Sequence, residues 1–346
     1  MAISYASNAI LSKARAMYGK RLTEKDYSNL LGCNSVPEVM AYLKGHTKYA
    51  SLLNNLSESD IHRAQLEMIL RQQLFYDFES LCRYEISVGE DFSRYIIIRT
   101  EIEQIMHFLM LLSAGHPSEY LYSLPLYFTK LSHIDLNSLP KAKNYDEFLS
   151  TLGHTQYQKI LSPFKPKGDD RIPLSDIENT LYTYLYTVIF DIIDKNTKGT
   201  EQKELKRIFD SNLDMRNFVR ILRLKKYYKY EPAEIKKQLF PFGALRDSQL
   251  TAMCEAEDSK AVFSVMQSTI PGRIISKLEY TYPGEITQRG AYNLCRREMR
   301  FSTHPPVVLM SYITLAEVEL TNIVNIIEGV RYRVDIQRVK DVLIYS

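Results

Sequence analysis

The residues with the clearest chemical potential stand in a pentapeptide that occurs twice. Gly45-His46-Thr47-Lys48-Tyr49 returns as Gly153-His154-Thr155-Gln156-Tyr157, with four of five positions identical. A histidine beside a hydroxyl is the pairing from which acid–base or nucleophilic catalysis is built. Here it is made twice, 108 residues apart, and a third, degraded copy reads Ser268-Thr269-Ile270-Pro271-Gly272. Catalytic constellations are usually assembled once per chain. A turn whose threonine caps a helix and whose tyrosine packs beside it explains the same residues in each copy. Thr47, Tyr49, Thr155, Tyr157 and Thr269 are therefore read as repeat-defining structural residues. No residue is assigned a catalytic role.

Other chemistry finds little support. The seven histidines, at 46, 62, 107, 116, 133, 154 and 304, form no HxxxH or HExxH frame, so no metal site is expected. Neither GxxxxGK[ST] nor GxGxxG occurs, so no glycine loop cradles a nucleotide and no cofactor is expected. Cys33, Cys82, Cys254 and Cys295 lack CxxC spacing and read as reduced thiols. Arg220 to Lys237 is basic with interleaved tyrosines, a pattern that can grip single strands. With a net charge of only +3 for the chain, it reads instead as a solvated helix end or a protein-docking patch, and nucleic acid is not an expected partner. Glu317 and Glu319 fall on different faces of a helix and do not suit two-carboxylate catalysis.

One polar pattern recurs once per copy: an acid and an amide one helical turn apart. The pairs are Glu101/Gln104, Asp214/Asn217 and Glu319/Asn322. Either they line a polar seam or central space, or they are plain surface solvation.

The elements that carry these residues are helical. Val36, Val39, Met40 and Leu43 follow the i, i+3, i+4, i+7 stripe of an amphipathic helix ahead of the first pentapeptide. Gly45 is suited to end it in the left-handed conformation. Thr23 suits the N-cap of a helix carrying Tyr27, Leu30 and Leu31. After each pentapeptide come two long helices, spanning about 57–84 and 92–115, then 175–194 and 201–228, then two more from 283 onward. No sustained period-two alternation and no Asn-Gly hairpin turn occurs, so strands are not expected.

The copies keep register by further spacings. Leu22 to Leu43, Leu131 to Leu152 and Leu245 to Met266 are each 21 residues. The predicted architecture is all-α, with helical repeats at 1–118, 119–230 and 231–346. Apolar residues at 45% and charged residues at 25% supply an ordinary globular core. No stretch of 18 residues is free of charge; the most apolar, 95–112, carries Arg99, Glu101, Glu103 and His107, so no membrane span is expected. The N-terminus lacks a secretory pattern.

In this order the pieces resemble the C subunits of the archaeal and bacterial A/V-type rotary ATPases, the counterparts of the d subunit of the vacuolar ATPase. The resemblance rests on Tyr5, the basic run Lys13 to Met17, Leu22, Tyr27, then Leu43, Thr47, Tyr49 and Leu53. It continues through Leu152, Thr155, Tyr157 and Leu161, the "LFPFGAL" turn at 239–245, and Tyr312 followed by Glu317, Glu319 and Asn322. Departures are Pro271 in place of a tyrosine, Phe242 in place of glycine, and one extra residue between Leu43 and Thr47. The resemblance implies three similar helical domains arranged as a funnel with pseudo-threefold symmetry. It implies a non-catalytic component on the cytoplasmic side of the membrane, seating the D and F subunits of the central stalk on the proteolipid ring, for ATP-coupled proton or sodium transport. The six acid and amide residues are then candidates to face the stalk. A helical-repeat interaction scaffold without a rotary role is the alternative reading.

Overall fold

The computed structural model describes residues 2–57, 61, 63–84, 88–168, 170–275 and 283–345. The side chains of residues 2–8, 274 and 275, and with them that of Tyr5, lie outside this description, as does His62. Among the described residues the chain is all-α, with no strand.

The first copy contains α1 (Ala2–Gly19), α2 (Glu24–Leu31), α3 (Val36–His46), α4 (Ala50–Leu53), α5 (Arg63–Cys82) and α6 (Gly89–Ser113). The second contains α7 (Tyr145–Thr151), α8 (Gln156–Leu161), α9 (Leu174–Asn196) and α10 (Gly199–Arg223). The third contains α11 (Pro232–Lys237), α12 (Asp247–Glu255), α13 (Ser259–Gln267), α14 (Ile270–Ile275), α15 (Gly284–Phe301), α16 (Pro305–Tyr332) and α17 (Ile336–Val342).

The sequence starts the short helices with matching caps. Thr23 and Asp26 form a reciprocal capping box at α2, as its position suggests. Ser35, Asn144 and Asp258 each precede α3, α7 and α13, and each side chain accepts from the third residue on. All three stand eight residues before Leu43, Leu152 and Met266, which are buried. Val39, Phe148 and Val262, one turn earlier, are buried in the same register. The backbone after these helices differs. The extra residue in the first copy is absorbed by α3, which runs through Gly45 to His46, and Gly45 is not left-handed. In the second copy α7 stops sooner and Gly153 takes φ +59°.

The chain forms two compact units. One comprises Met1–Gly89 with Asn196–Ser346; the other is Glu90–Lys195. The divisions fall between the two long helices of the first copy and between those of the second.

In the first unit α16 is the central element, packed by α1, α5, α10 and α15. It is the one described helix long and apolar enough to cross a membrane, so the most apolar stretch is here and not at 95–112. Of its most apolar window, 72% is buried within the protein, the signature of a core helix. Leu320, Ile323, Ile326 and Ile327 of α16 form one apolar cluster with Tyr27, Leu30, Val39, Met40, Leu43 and Leu53. A second cluster joins Met215, Phe218, Ile221 and Leu222 of α10 to Ile235, Leu245, Met253, Val262 and Met266. The short helices of the first copy therefore sit on the last long helix of the third, and those of the third on the last long helix of the second.

The second unit repeats that relation by itself. Phe108 of α6 stacks on Phe148 of α7 with centroids 5.6 Å apart, and meets Tyr120 edge-on at 5.8 Å. Here the short helices of the second copy sit on the last long helix of the first. The four cysteines are all free thiols.

Candidate functional site

Each acid and amide pair lies at the seam between a long helix and the short helices of the copy that follows it. Glu319 on α16 accepts from the Leu22 amide at 2.7 Å and from the Tyr49 hydroxyl at 2.8 Å. Lys48 adds an ion pair at 2.6 Å. One turn on, Asn322 pairs both ways with the backbone of Ile344: its Nδ2 donates to the carbonyl at 2.8 Å, and its Oδ1 accepts from the amide at 2.9 Å. The Asn322 Nδ2 also donates to the Tyr27 hydroxyl at 3.2 Å.

Asp214 and Asn217 on α10 meet the third copy at the matching place. Asp214 accepts from the amides of Ala244 and Leu245, both at 3.1 Å. Asn217 pairs both ways with Phe240, at 3.0 and 2.9 Å. Among the described residues Asp214 has no tyrosine donor; Pro271 stands where the other copies have Tyr49 and Tyr157. Close backbone approach takes over that role. Gly243 has φ +124°, and a Cβ there would lie 2.3 Å from Asp214 Oδ1.

In the second unit Glu101 on α6 accepts from the Tyr157 hydroxyl at 2.6 Å, from Ser132 Oγ at 3.0 Å, and from the His133 amide. Its partner Gln104 accepts from the Tyr120 hydroxyl at 2.8 Å. The leucine spacing slips here. Leu22 and Leu245 present their amides to an acid, whereas in the second copy His133, two residues after Leu131, does so.

These geometries set the pairs in polar seams inside the chain. Glu101, Asp214, Asn217, Glu319 and Asn322 are buried, and Gln104 is half-buried. A buried carboxylate is tolerated only with its hydrogen bonds made, and here backbone amides and tyrosines make them. Burial and the adjacent carboxylate push the Tyr49 and Tyr157 hydroxyls well above the ordinary phenol range. Both remain neutral donors. Burial raises Asp214 to about 7, against the lowering effect of its two backbone amides, and the Asp210 charge adds to the rise.

The pentapeptide does not gather a catalytic set. His46 is exposed and lies against the Tyr42 ring with centroids 4.9 Å apart. His154 is exposed, while Tyr49 and Tyr157 point inward to their acids. The threonines differ among themselves. Thr269 Oγ1 accepts from the Gly272 amide at 3.0 Å and so caps α14. Thr47 Oγ1 donates to the Leu43 carbonyl and accepts from the Tyr49 amide at 3.2 Å, within a turn. Thr155 stands at the N-cap of α8, but its hydroxyl is buried and, among the described residues, has no hydrogen-bond partner. Sequence reading missed Phe240 and Ile344, because an asparagine that pairs with backbone leaves no mark on its partner's side chain. Gly243 was visible only as the glycine of the 239–245 turn.

The fold and these seams define a protein, all-helical among the described residues, in which α6, α10 and α16 each hold a set of short helices. The chain belongs to the ATP synthase (C/AC39) subunit family, whose model matches residues 10–342. It is 25% identical over 323 residues to the C subunit of the A-type ATP synthase of Methanothermobacter thermautotrophicus, covering 90% of this chain and 80% of the relative. It is 24% identical over 267 residues to the A-type C subunit of Methanosphaera stadtmanae, covering 77% of this chain and 66% of the relative. The A-type C subunit of Methanosarcina mazei is 24% identical over 248 residues, covering 70% and 66% respectively.

Proposed function

We propose that the chain is the non-catalytic adapter of an A/V-type ATPase rotor. It seats the D and F subunits of the central stalk on the proteolipid ring, on the cytoplasmic side of the membrane, and passes torque between them. The observation that carries this reading is the seam made three times. The last long helix of the first and second copies grips the head of the next copy through a buried acid, and α16, the last of the third, grips the head of the first. The last copy thus holds the first, and a torque-bearing part needs that stiffness. The three repeats, 1–118, 119–230 and 231–346, then form domains around a common axis, as a funnel. Glu101, Gln104, Asp214, Asn217, Glu319 and Asn322 serve the stalk seat by fixing the segments that wall it, and their own side chains do not line it.

The test is purification of the complex through a tag on this chain from the native membrane. Recovery of the stalk proteins and the proteolipid together supports the adapter role. Recovery of neither, from membranes where both are intact, overturns it.

A further inference from the structure

The turn after α10 supplies none of the hydrogen bonds to the acid and amide pairs above. Arg220 to Lys237 holds seven basic and two acidic side chains, a net charge of +5, while the whole chain carries +3. The basic excess of the protein is therefore concentrated in this stretch, and the rest of the chain is slightly acidic.

The backbone presents it. After Arg223 the helix loosens into a single π turn, Leu224–Tyr228, and Lys229 takes the left-handed conformation with φ 52°. Residues 226–231 are consecutively exposed as a result. Tyr227, Tyr228 and Tyr230 are 68%, 61% and 41% exposed, three aromatic rings in four residues. Some of the basic side chains fasten the turn to the fold. Arg220 and Lys225 donate to the carbonyls of Gln238 and Ala256, each at 2.6 Å, and Lys236 pairs with Asp247 at 2.9 Å. Arg223, Lys226, Lys229 and Lys237 remain exposed and, among the described residues, form no ion pair with a carboxylate.

An exposed tip of lysine and tyrosine suits few ligands. Protein interfaces are depleted of lysine at their centres. Single-stranded nucleic acid needs open aromatic faces as stacking platforms. Here the Lys226 ammonium lies 5.2 Å from the Tyr227 ring centroid, over its face. Tyr228 and Tyr230 pack edge-on to each other at 5.8 Å. Tyrosine at headgroup depth with lysine beside the phosphates is the composition that a membrane–water interface selects. We propose that the tip formed by Lys226 to Tyr230 is a peripheral contact for the anionic headgroups of a lipid bilayer. The proposal stands on the composition and exposure of the tip and does not depend on the adapter role.

The experiment is co-sedimentation of the full chain with vesicles of phosphatidylglycerol and phosphatidylcholine, beside vesicles of phosphatidylcholine alone. Binding is expected only to the anionic vesicles and should weaken with salt. Lys226→Gln and Lys229→Gln should each reduce it about fivefold, and Lys159→Gln, at an exposed lysine of the other unit, should not. The chain contains no tryptophan, so Tyr227→Trp supplies a single reporter whose emission should shift to the blue on the anionic vesicles. No binding to those vesicles, equal binding to phosphatidylcholine alone, or an effect of Lys159→Gln equal to that of Lys226→Gln overturns the proposal. Tighter binding of oligo-dT, lost in the same two lysine variants, also overturns it and makes single-stranded nucleic acid the ligand.

Discussion

The hydroxyl of Tyr49 donates to Glu319 Oε1 across 270 residues of chain. That bond joins the first pentapeptide to the last long helix, and Tyr157 makes its counterpart with Glu101. Lys48 and the Leu22 amide meet the same Glu319 carboxylate. The carboxylate is thus the shared acceptor of three donors, and its removal strands all of them.

Tyr49→Phe should therefore cost about 1.5–3 kcal/mol, the range for a hydrogen bond to a charged group. Glu319→Ala should cost more, about 3–5 kcal/mol, because it leaves an ammonium and two further donors without an acceptor. Urea denaturation of the two single variants and the double variant measures the coupling. Additive effects would mean that the two groups do not stabilise each other.

Gly243→Ala should destabilise the protein by about 2 kcal/mol or more, through its positive φ and the clash with Asp214. In an Asp214→Ala background the clash is gone and only the backbone strain is left, so the added cost should shrink. An equal cost in both backgrounds would remove Asp214 from the explanation.

The threonines should separate by their bonds. Thr269→Ala loses a helix cap and should cost about 1 kcal/mol. Thr155→Ala should cost less, because that hydroxyl has, among the described residues, no partner to lose. Thr47→Ala should fall between them. Thermal melts of the three variants check the order, and a largest loss at Thr155 would contradict it.

Stability should depend on pH through α10. Burial raises Asp210 to about 6 and Asp214 to about 7, from 3.8. A carboxyl whose folded value is raised contributes stability that is fully present below its unfolded value and is lost as pH rises through the folded one. These two groups should therefore weaken the fold progressively between about pH 4 and pH 8. Asp210→Asn removes one charge and should flatten that decline, read as the urea midpoint at pH 5 and pH 8. A decline as steep in the variant as in the parent would assign the pH dependence to other groups.

Removing residues 334–346 should loosen the head of the first copy, far away in sequence. The segment supplies Val339 and Leu343 to the cluster around Leu30 and Leu43. It also supplies the Ile344 backbone to Asn322 and the Tyr345 ring that stacks on Tyr27 at 4.7 Å. A Cβ at Gly329 would lie 2.5 Å from Val339 Cγ2, which shows how closely α17 approaches α16. Hydrogen exchange should quicken across residues 22–53 in the truncated chain and stay unchanged across 145–161. Unchanged protection at 22–53 would show that this head stands without the C-terminal segment.

The sequence by itself determined the elements and their threefold recurrence. Apolar spacing at 3.6 residues and side chains that cap their own helices are local properties, so α3, α7 and α13 and their register were legible from composition and order. So was the polar pair on each last long helix, since it recurs at similar spacing. The direction of those pairs was not legible. A carboxylate on an amphipathic helix reads the same whether it faces water or a backbone amide from another copy, and the amide of Leu22, Leu245 or His133 leaves no sign in the residue type. The tertiary structure decided that five of the six residues are buried. It also decided that α6 and α10 hold the following copy's head rather than their own, that α16 holds the head of the first copy, and that residues after Tyr332 complete that head at the opposite end of the chain. The physical reason is that hydrogen-bond partners for a buried acid are chosen by proximity in space, and which distant segment arrives there is fixed only when the apolar faces of the helices have packed.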